Sequence, residues 1–511
     1  MDILTFSSSF SWSSLLLTTG SLILFLFLWG KGRGRTTLPL PPGPPAWPIV
    51  GNLFQLGKRP HQSLYALSLQ YGPLMSLRLG MKTTVVVSSP AMAKEVLKTH
   101  GHILAGRTVI EMIKCLSHHK SSLIWAEYGA RWRRLRRIST VELFSPKRME
   151  ALQHLRRDEI FHTIRLLYED KGKVVDIGRT VFCTSLNLLG KMMFSTNVFD
   201  PHNPESAGFK NSMWEMMKLA GTPNLADFFP LLRFLDPQNV SREMAKHLKV
   251  VYDFVDFFIQ KRFASASEIL ERNDSKKDFL DVLLDFRSDG FTLVDIRALI
   301  SDLFVAGTET TTTTIEWVMA EFIRNPQKLN RVRQELGEVV GCNRKVEESD
   351  LEHLPYLQTA VKEIFRLHPT VPLLLPHKAE SSCVIGGYLI PKDSQVMVNV
   401  WAIGMDPAIW KHPSEFLPER FLEGENNRMD YRGQDFELIP FGSGRRICPG
   451  LPLASRMVNF VLASLLHSFE WILPEGMNSE QLDMADEFGL TLKKAEDLNA
   501  IPVPCLPHHL Y

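Results

Sequence analysis

Three regimes of hydrophobic patterning succeed one another along the chain. Residues 13–30, SSLLLTTGSLILFLFLWG, run for 18 residues without a charge. As a helix that is about 27 Å, close to the hydrocarbon thickness of a bilayer. Trp12 and Trp29 stand at its edges, Asp2 is the only charged side chain before it, and Lys31, Arg33 and Arg35 follow. This asymmetry predicts a single-pass anchor over residues 1–30, with the bulk of the chain in the cytosol. A cleaved signal peptide would carry a basic leader and a small-residue cleavage site, and neither is evident. Residues 31–52 are basic and then proline-rich (LPLPPGPPAWPIVGN from position 38), which predicts an extended, stiff hinge. LMSLRLG and TTVVVSS follow with strand character, and over residues 90–366 the periodicity is mostly helical. The expected fold is mainly α with a minor β part, in one large domain over residues 53–511. Its longest helix should span residues 292–324, capped by Thr292 with Asp295 three positions on and stopped by Pro326. At about 50 Å, and apolar around much of its middle (LISDLFVAG), it should cross the interior.

Charge adds one exclusion. Lys and Arg number 58 against 56 Asp and Glu, so nothing global favours nucleic acid. The six cysteines are scattered and form no C-x-x-C pair. That argues against a zinc or iron–sulfur site and against a disulfide framework, and it suits a reducing compartment. The sequons at Asn239 and Asn273 would matter only if that part of the chain were lumenal.

The candidate chemistry centres on FGSGRRICPG, residues 441–450. Gly442, Gly444 and Gly450 allow positive φ or a close backbone approach to a flat ligand. Arg446 can neutralise a carboxylate. Cys448 precedes PGLPLASRMVNFVLASLL, which reads as a helix with Pro452 in its first turn, and a helix N-terminus favours a thiolate. A lone thiolate, exposed backbone N–H groups and a carboxylate-binding arginine together suit haem iron ligation. The pattern F-x-x-G-x-R-x-C-x-G, carried by Phe441, Gly444, Arg446, Cys448 and Gly450, resembles the haem-binding loop of the cytochrome P-450 family. The resemblance covers essentially the whole chain, from PPGPP to EFGLTLKK. It is nearest to plant microsomal members, in the branch of geraniol hydroxylases and related terpenoid and alkaloid oxidases.

The resemblance implies a haem-thiolate monooxygenase domain with haem b, Cys448 being the iron's axial ligand; a sulfur ligand favours O–O cleavage. AGTETTTTT, residues 306–314, matches the family's A-G-x-(D/E)-T. Ala306 and Gly307 leave room over the porphyrin, and Glu309 and Thr310 form an acid–alcohol pair for proton delivery. A threonine hydroxyl bonded four residues back can disturb the helix there and open a groove, whereas Thr311 to Thr314 are expected to satisfy themselves on the backbone. Glu363 and Arg366 of KEIFR, with Arg420 of FLPERF, resemble a structural Glu–Arg–Arg network. In RWRRLRR, residues 131–137, helical spacing puts Trp132, Leu135 and Arg136 on one side and Arg133, Arg134 and Arg137 on another. The resemblance assigns Trp132, Arg136, His377 and Arg446 to the haem propionates, and leaves the outer arginines as a docking patch for an acidic electron donor.

No G-x-G-x-x-G opens a βαβ unit and there is no P-loop, so electrons must come from a separate protein. The resemblance implies the NADPH–cytochrome reductase of the endoplasmic reticulum, with the anchor in that membrane. It also implies walls for a lipophilic substrate from the loop of residues 103–125, Leu303, Ala306, Val371, Leu374, Leu375, Phe488 and Leu490. The leading expectation is oxidation of a terpenoid or alkaloid with dioxygen. The alternatives are a phenylpropanoid or flavonoid hydroxylase, a haem-thiolate isomerase or dehydratase needing no dioxygen, and a haem carrier. Glu309–Thr310 and the long oxygen-facing helix argue against the last two.

Overall fold

The computed structural model describes Gly20 and residues 38–199, 204–264 and 277–511. The expected anchor, residues 13–30, lies outside the described residues apart from Gly20. Among the described residues, no helix is long and apolar enough to cross a membrane. The proline stretch read as a hinge is fastened to the domain. Ser76 N–H donates to Pro42 O and Ser76 Oγ to Pro41 O, while Asn52 Nδ2 donates to Pro45 O at 3.2 Å. A Cβ at Gly43 would lie 1.9 Å from the Ser76 carbonyl oxygen, so only glycine lets the chain lie this close.

The strand-like runs form β1 (Leu74–Leu79) and β2 (Lys82–Val87), an antiparallel hairpin. Three short strands extend it: β3 (Gly106–Arg107), β4 (His377–Lys378) and β5 (Gln395–Val398). The sheet order is β1-β2-β5-β4-β3, with β2 and β5 parallel. Its edge register sets Arg107 opposite His377. This brings together two residues about 270 positions apart.

The helices that matter for the site are α1 (Ala130–Ile138), α2 (Ile177–Phe194), α3 (Val240–Ala264), α4 (Leu293–Arg324), α5 (Pro355–Leu367) and α6 (Leu451–Ser468). The start of α4 is the expected capping box. Thr292 Oγ1 accepts from Asp295 N–H, and Asp295 Oδ2 accepts from Thr292 N–H at 3.0 Å. At 32 residues it is about 48 Å long, and the side chains of its middle and C-terminal half are almost all buried. α2 approaches closely enough at Gly307 that a Cβ there would meet Leu189 Cδ1 at 3.0 Å. α4 is helical through Thr310, and the expected bond from the Thr310 hydroxyl to the Ala306 carbonyl is present at 2.7 Å. The hydroxyls of Thr310, Thr311, Thr312 and Thr314 each donate to the carbonyl four residues back. They use the second lone pair, and the N–H ladder survives.

Candidate active site

Cys448 is held by its own loop. The turn Gly444–Arg446 brings Cys448 N–H to Phe441 O at 3.0 Å. Gly444 is indispensable there for packing: its φ is +67°, and a Cβ would lie 2.0 Å from Leu97 O. It does not line the cavity; of the two roles expected of these glycines it takes the positive-φ turn. Gly442, at φ +70°, and Gly450 do line it. α6 begins directly after Gly450, with Pro452 in its first turn. The N–H groups of Gly450 and Leu451 point at the Cys448 sulfur, and Arg136 lowers its pKa further, yet burial prevails and raises the thiol above its ordinary value. A helix N-terminus alone therefore does not ionise this cysteine. A buried sulfur of this kind becomes a stable thiolate when a metal cation binds it.

Cys448, Phe441 and Gly450 share one cavity of about 270 Å³ with Leu303, Ala306, Gly307 and Thr310 of α4. Val371, Leu374 and Leu375 add apolar wall, and Leu374 adopts φ +49°. Phe488 lies elsewhere. With Leu490 it lines a second cavity of about 470 Å³, and the two cavities have only Val371 and Leu374 as common walls. Glu309 is also off the first cavity. One residue along a helix turns a side chain by about 100°, so Thr310 faces the cavity while Glu309 is buried away from it. Its Oε2 has no hydrogen-bond partner among the described residues. Burial pushes its carboxyl up from 4.5 to about 7, with Lys493 pulling the other way.

One side of the cavity is crowded with cations. Arg446 stacks over the Trp132 ring at 4.3 Å, and donates from Nε to Ala105 O at 2.8 Å and from Nη2 to Ala126 O at 2.7 Å. Its Nη1 has no described partner. Arg107 donates from Nη1 to Leu375 O at 2.7 Å and leaves Nε unpaired. His377 gives Nδ1–H to Leu104 O at 2.6 Å. Burial depresses all three: Arg446 to about 10 with help from Arg136, Arg107 to about 9 with help from Arg446, and His377 to about 3 with help from Arg107. Buried positive charges with orphaned donors call for an anion, and the two carboxylates of haem b fit that demand.

Two members of the expected propionate set are engaged differently. Trp132 donates its indole N–H to Leu123 O at 3.0 Å, so what it offers is its ring, under Arg446. Arg136 reaches the Ile447 carbonyl beside the cysteine. Arg107 was not singled out from the sequence. Its signal was a lone arginine in the otherwise apolar wall loop, ILAGRTVI.

The frame behind the loop is fully bonded. Glu363 Oε1 accepts from Arg366 Nη2 at 2.8 Å, Arg420 Nε at 3.0 Å and Leu417 N–H at 2.9 Å, and Oε2 accepts from Arg366 Nε at 2.8 Å. Arg366 Nη1 caps the carbonyls of Gly404 and Pro413. The network fixes α5, whose Phe365 lines the cavity and meets Phe441 edge-on at 5.1 Å. On α1, Trp132 and Leu135 are buried, and Arg133 and Arg137 are exposed. Arg134 is bonded to the carbonyls of Asp289 and Phe286.

The family description "Cytochrome P450" matches residues 41–497. The chain is a cytochrome P450. It is 45% identical to the geraniol 8-hydroxylase of Swertia mussotii, over 91% of this chain and 94% of that one. It is 47% identical to cytochrome P450 76C1 of Arabidopsis thaliana, over 91% of each. It is 46% identical to the probable (S)-N-methylcoclaurine 3'-hydroxylase isozyme 2 of Coptis japonica, over 89% and 91%. This P450 is thus an oxidoreductase of the monooxygenase type, in the branch of the geraniol hydroxylases. P450s carry haem b and draw electrons from NADPH through a reductase, and the cysteine loop and cationic wall described above suit that group.

Proposed function

We propose that this P450 hydroxylates a lipophilic plant metabolite of terpenoid or alkaloid type, using dioxygen and electrons passed from a membrane reductase. The observation that carries the reading is one apolar cavity walled by Cys448 and the orphaned arginines as well as by Thr310 of α4. Haem bound there would supply the oxidising chemistry, with Cys448 as the residue that would hold its iron. Arg107 and Arg446 hold its carboxylates, with His377 beside them. Thr310 holds a hydroxyl at the cavity, and Glu309 keeps an exchangeable proton near neutral pH one residue away. The walls at Leu303, Ala306, Val371 and Leu375 exclude water and favour a substrate of low polarity. The relatives named geraniol 8-hydroxylase and probable (S)-N-methylcoclaurine 3'-hydroxylase support that substrate range.

Docking of the reductase is assigned to the exposed Arg133 and Arg137, on the helix that carries Arg136 to the cysteine loop. Attachment to the endoplasmic reticulum is assigned to the segment of residues 13–30, with the domain in the cytosol. The exposed side chains of Trp47, Ile49, Phe54, Leu231 and Phe234 support a membrane-facing side. Phe54 also lines the second cavity.

The deciding experiment is Cys448→Ala in the full-length protein. The reduced carbon monoxide complex should lose its red-shifted Soret band. A band that survives overturns the assignment, and so does a wild-type protein that never shows one.

A further inference from the structure

The middle of α4 carries one charge that the chemistry above does not use. Asp302 is 4% exposed and borders the haem-facing cavity. A buried carboxylate beside an apolar cavity invites the reading that it pairs with a cationic substrate. Its hydrogen bonds say otherwise. Oδ1 accepts from His118 Nε2 at 3.0 Å; Oδ2 accepts from Ser122 Oγ at 2.8 Å, Leu123 N–H at 2.7 Å and Ile124 N–H at 3.3 Å. Three donors converge on Oδ2 and one meets Oδ1, so the carboxylate is committed to holding protein groups.

All four come from one loop. Leu116 and Ser117, just before it, are left-handed, a conformation that local backbone preference does not favour. Asp302 ties it to α4, while Arg131 donates to Ser121 Oγ at 2.7 Å and Trp125 N–H to Ser122 Oγ at 3.0 Å. Leu123 and Ile124 line the cavity. Leu123 is gripped from both sides, by Asp302 at its N–H and by Trp132 at its carbonyl. The grip extends to α3. A carboxylate accepts, so His118 gives it Nε2–H, and His118 Nδ1 meets the Tyr252 hydroxyl at 2.7 Å.

We propose that Asp302 is a positioning residue: with His118, Ser122 and Tyr252 it latches the loop of residues 118–125 between α3 and α4, and so sets the wall that Leu123 and Ile124 present to substrate. This rests on reading the cavity as the substrate side of a haem. The latch makes the pocket selective through the shape of the wall that Leu123 and Ile124 form.

The test uses purified holoenzyme with Asp302→Asn, Ser122→Ala and Tyr252→Phe. Imidazole reaches only the iron, whereas 4-phenylimidazole also needs the wall; both are titrated by the Soret shift. Asp302→Asn should weaken 4-phenylimidazole about tenfold relative to imidazole, the loss expected when a charge-assisted set of bonds is disrupted. Ser122→Ala and Tyr252→Phe should show the same trend to a smaller degree. Amide hydrogen exchange should accelerate at residues 121–125 and stay unchanged in α6. Unchanged ligand ratios together with unchanged exchange in Ser122→Ala and Tyr252→Phe overturn the latch, even if Asp302→Asn fails to fold. A greater loss for a phenylalkylammonium than for its neutral isostere overturns it in favour of a charge anchor. The carbon monoxide band reports separately on the haem reading, and the exchange measurement stands without it.

Discussion

Replacing Glu309 with glutamine should make the protein more stable and a worse catalyst, and the gain should grow with pH. Glu309 is 4% exposed, with Oε2 unpaired, and burial raises its pKa from 4.5 to about 7. Below about pH 4.5 the carboxyl is protonated in both folded and unfolded chains, and burial carries no ionic penalty. Between 4.5 and 7 the unfolded chain releases the proton while the folded chain keeps it, so stability falls as pH rises. Above 7 both are ionised and the penalty is complete, about 3 kcal/mol at roughly 1.4 kcal/mol per pKa unit. Glutamine escapes that penalty at every pH. The stability advantage of Glu309→Gln should therefore rise from about 1 kcal/mol near pH 5.5 to about 3 kcal/mol near pH 8.5. Denaturant unfolding followed at the Soret band at both pH values measures it. In the same preparation, peroxide formed per NADPH consumed should increase, because glutamine supplies no exchangeable proton. An advantage that is the same at both pH values refutes the buried, high-pKa carboxyl. Unchanged coupling separates the burial from any part in proton delivery.

Thr310→Ala should retain haem, since its hydroxyl donates only to the Ala306 carbonyl among the described residues, but should divert electrons to peroxide, read as hydrogen peroxide per NADPH. Arg107→Leu should lower haem affinity about 10- to 100-fold through loss of a charge-assisted carboxylate bond, measured by haem transfer to apomyoglobin; unaltered retention would remove Arg107 from the propionate site. Glu363→Ala should cost about 3–5 kcal/mol, because it strands the buried Arg366 and Arg420 charges, as read by urea unfolding.

The local features of this P450 were legible in its sequence because short-range chemistry dictates them. The Thr292–Asp295 box started α4 where the cap residues require, Pro326 stopped it, and Pro452 opened α6 behind Cys448. Helical spacing in RWRRLRR already separated the buried Trp132 from the exposed Arg133 and Arg137. The Glu363–Arg366 pair was readable as i, i+3 neighbours, and Arg420 joined it only through the resemblance. Tertiary structure decided whatever depends on which distant segments meet. Arg107 became a candidate propionate ligand because β3 pairs with β4 and sets it opposite His377. Phe488 moved to a second cavity. Gly444 proved to serve the Leu97 backbone, and the Trp132 N–H was taken by Leu123. The ionisation of Glu309 and Cys448, and the commitment of Asp302 to one loop, follow from burial and from partners supplied by other elements. Periodicity records which face of a helix avoids water, but it carries no information about which group from a remote part of the chain will face it there.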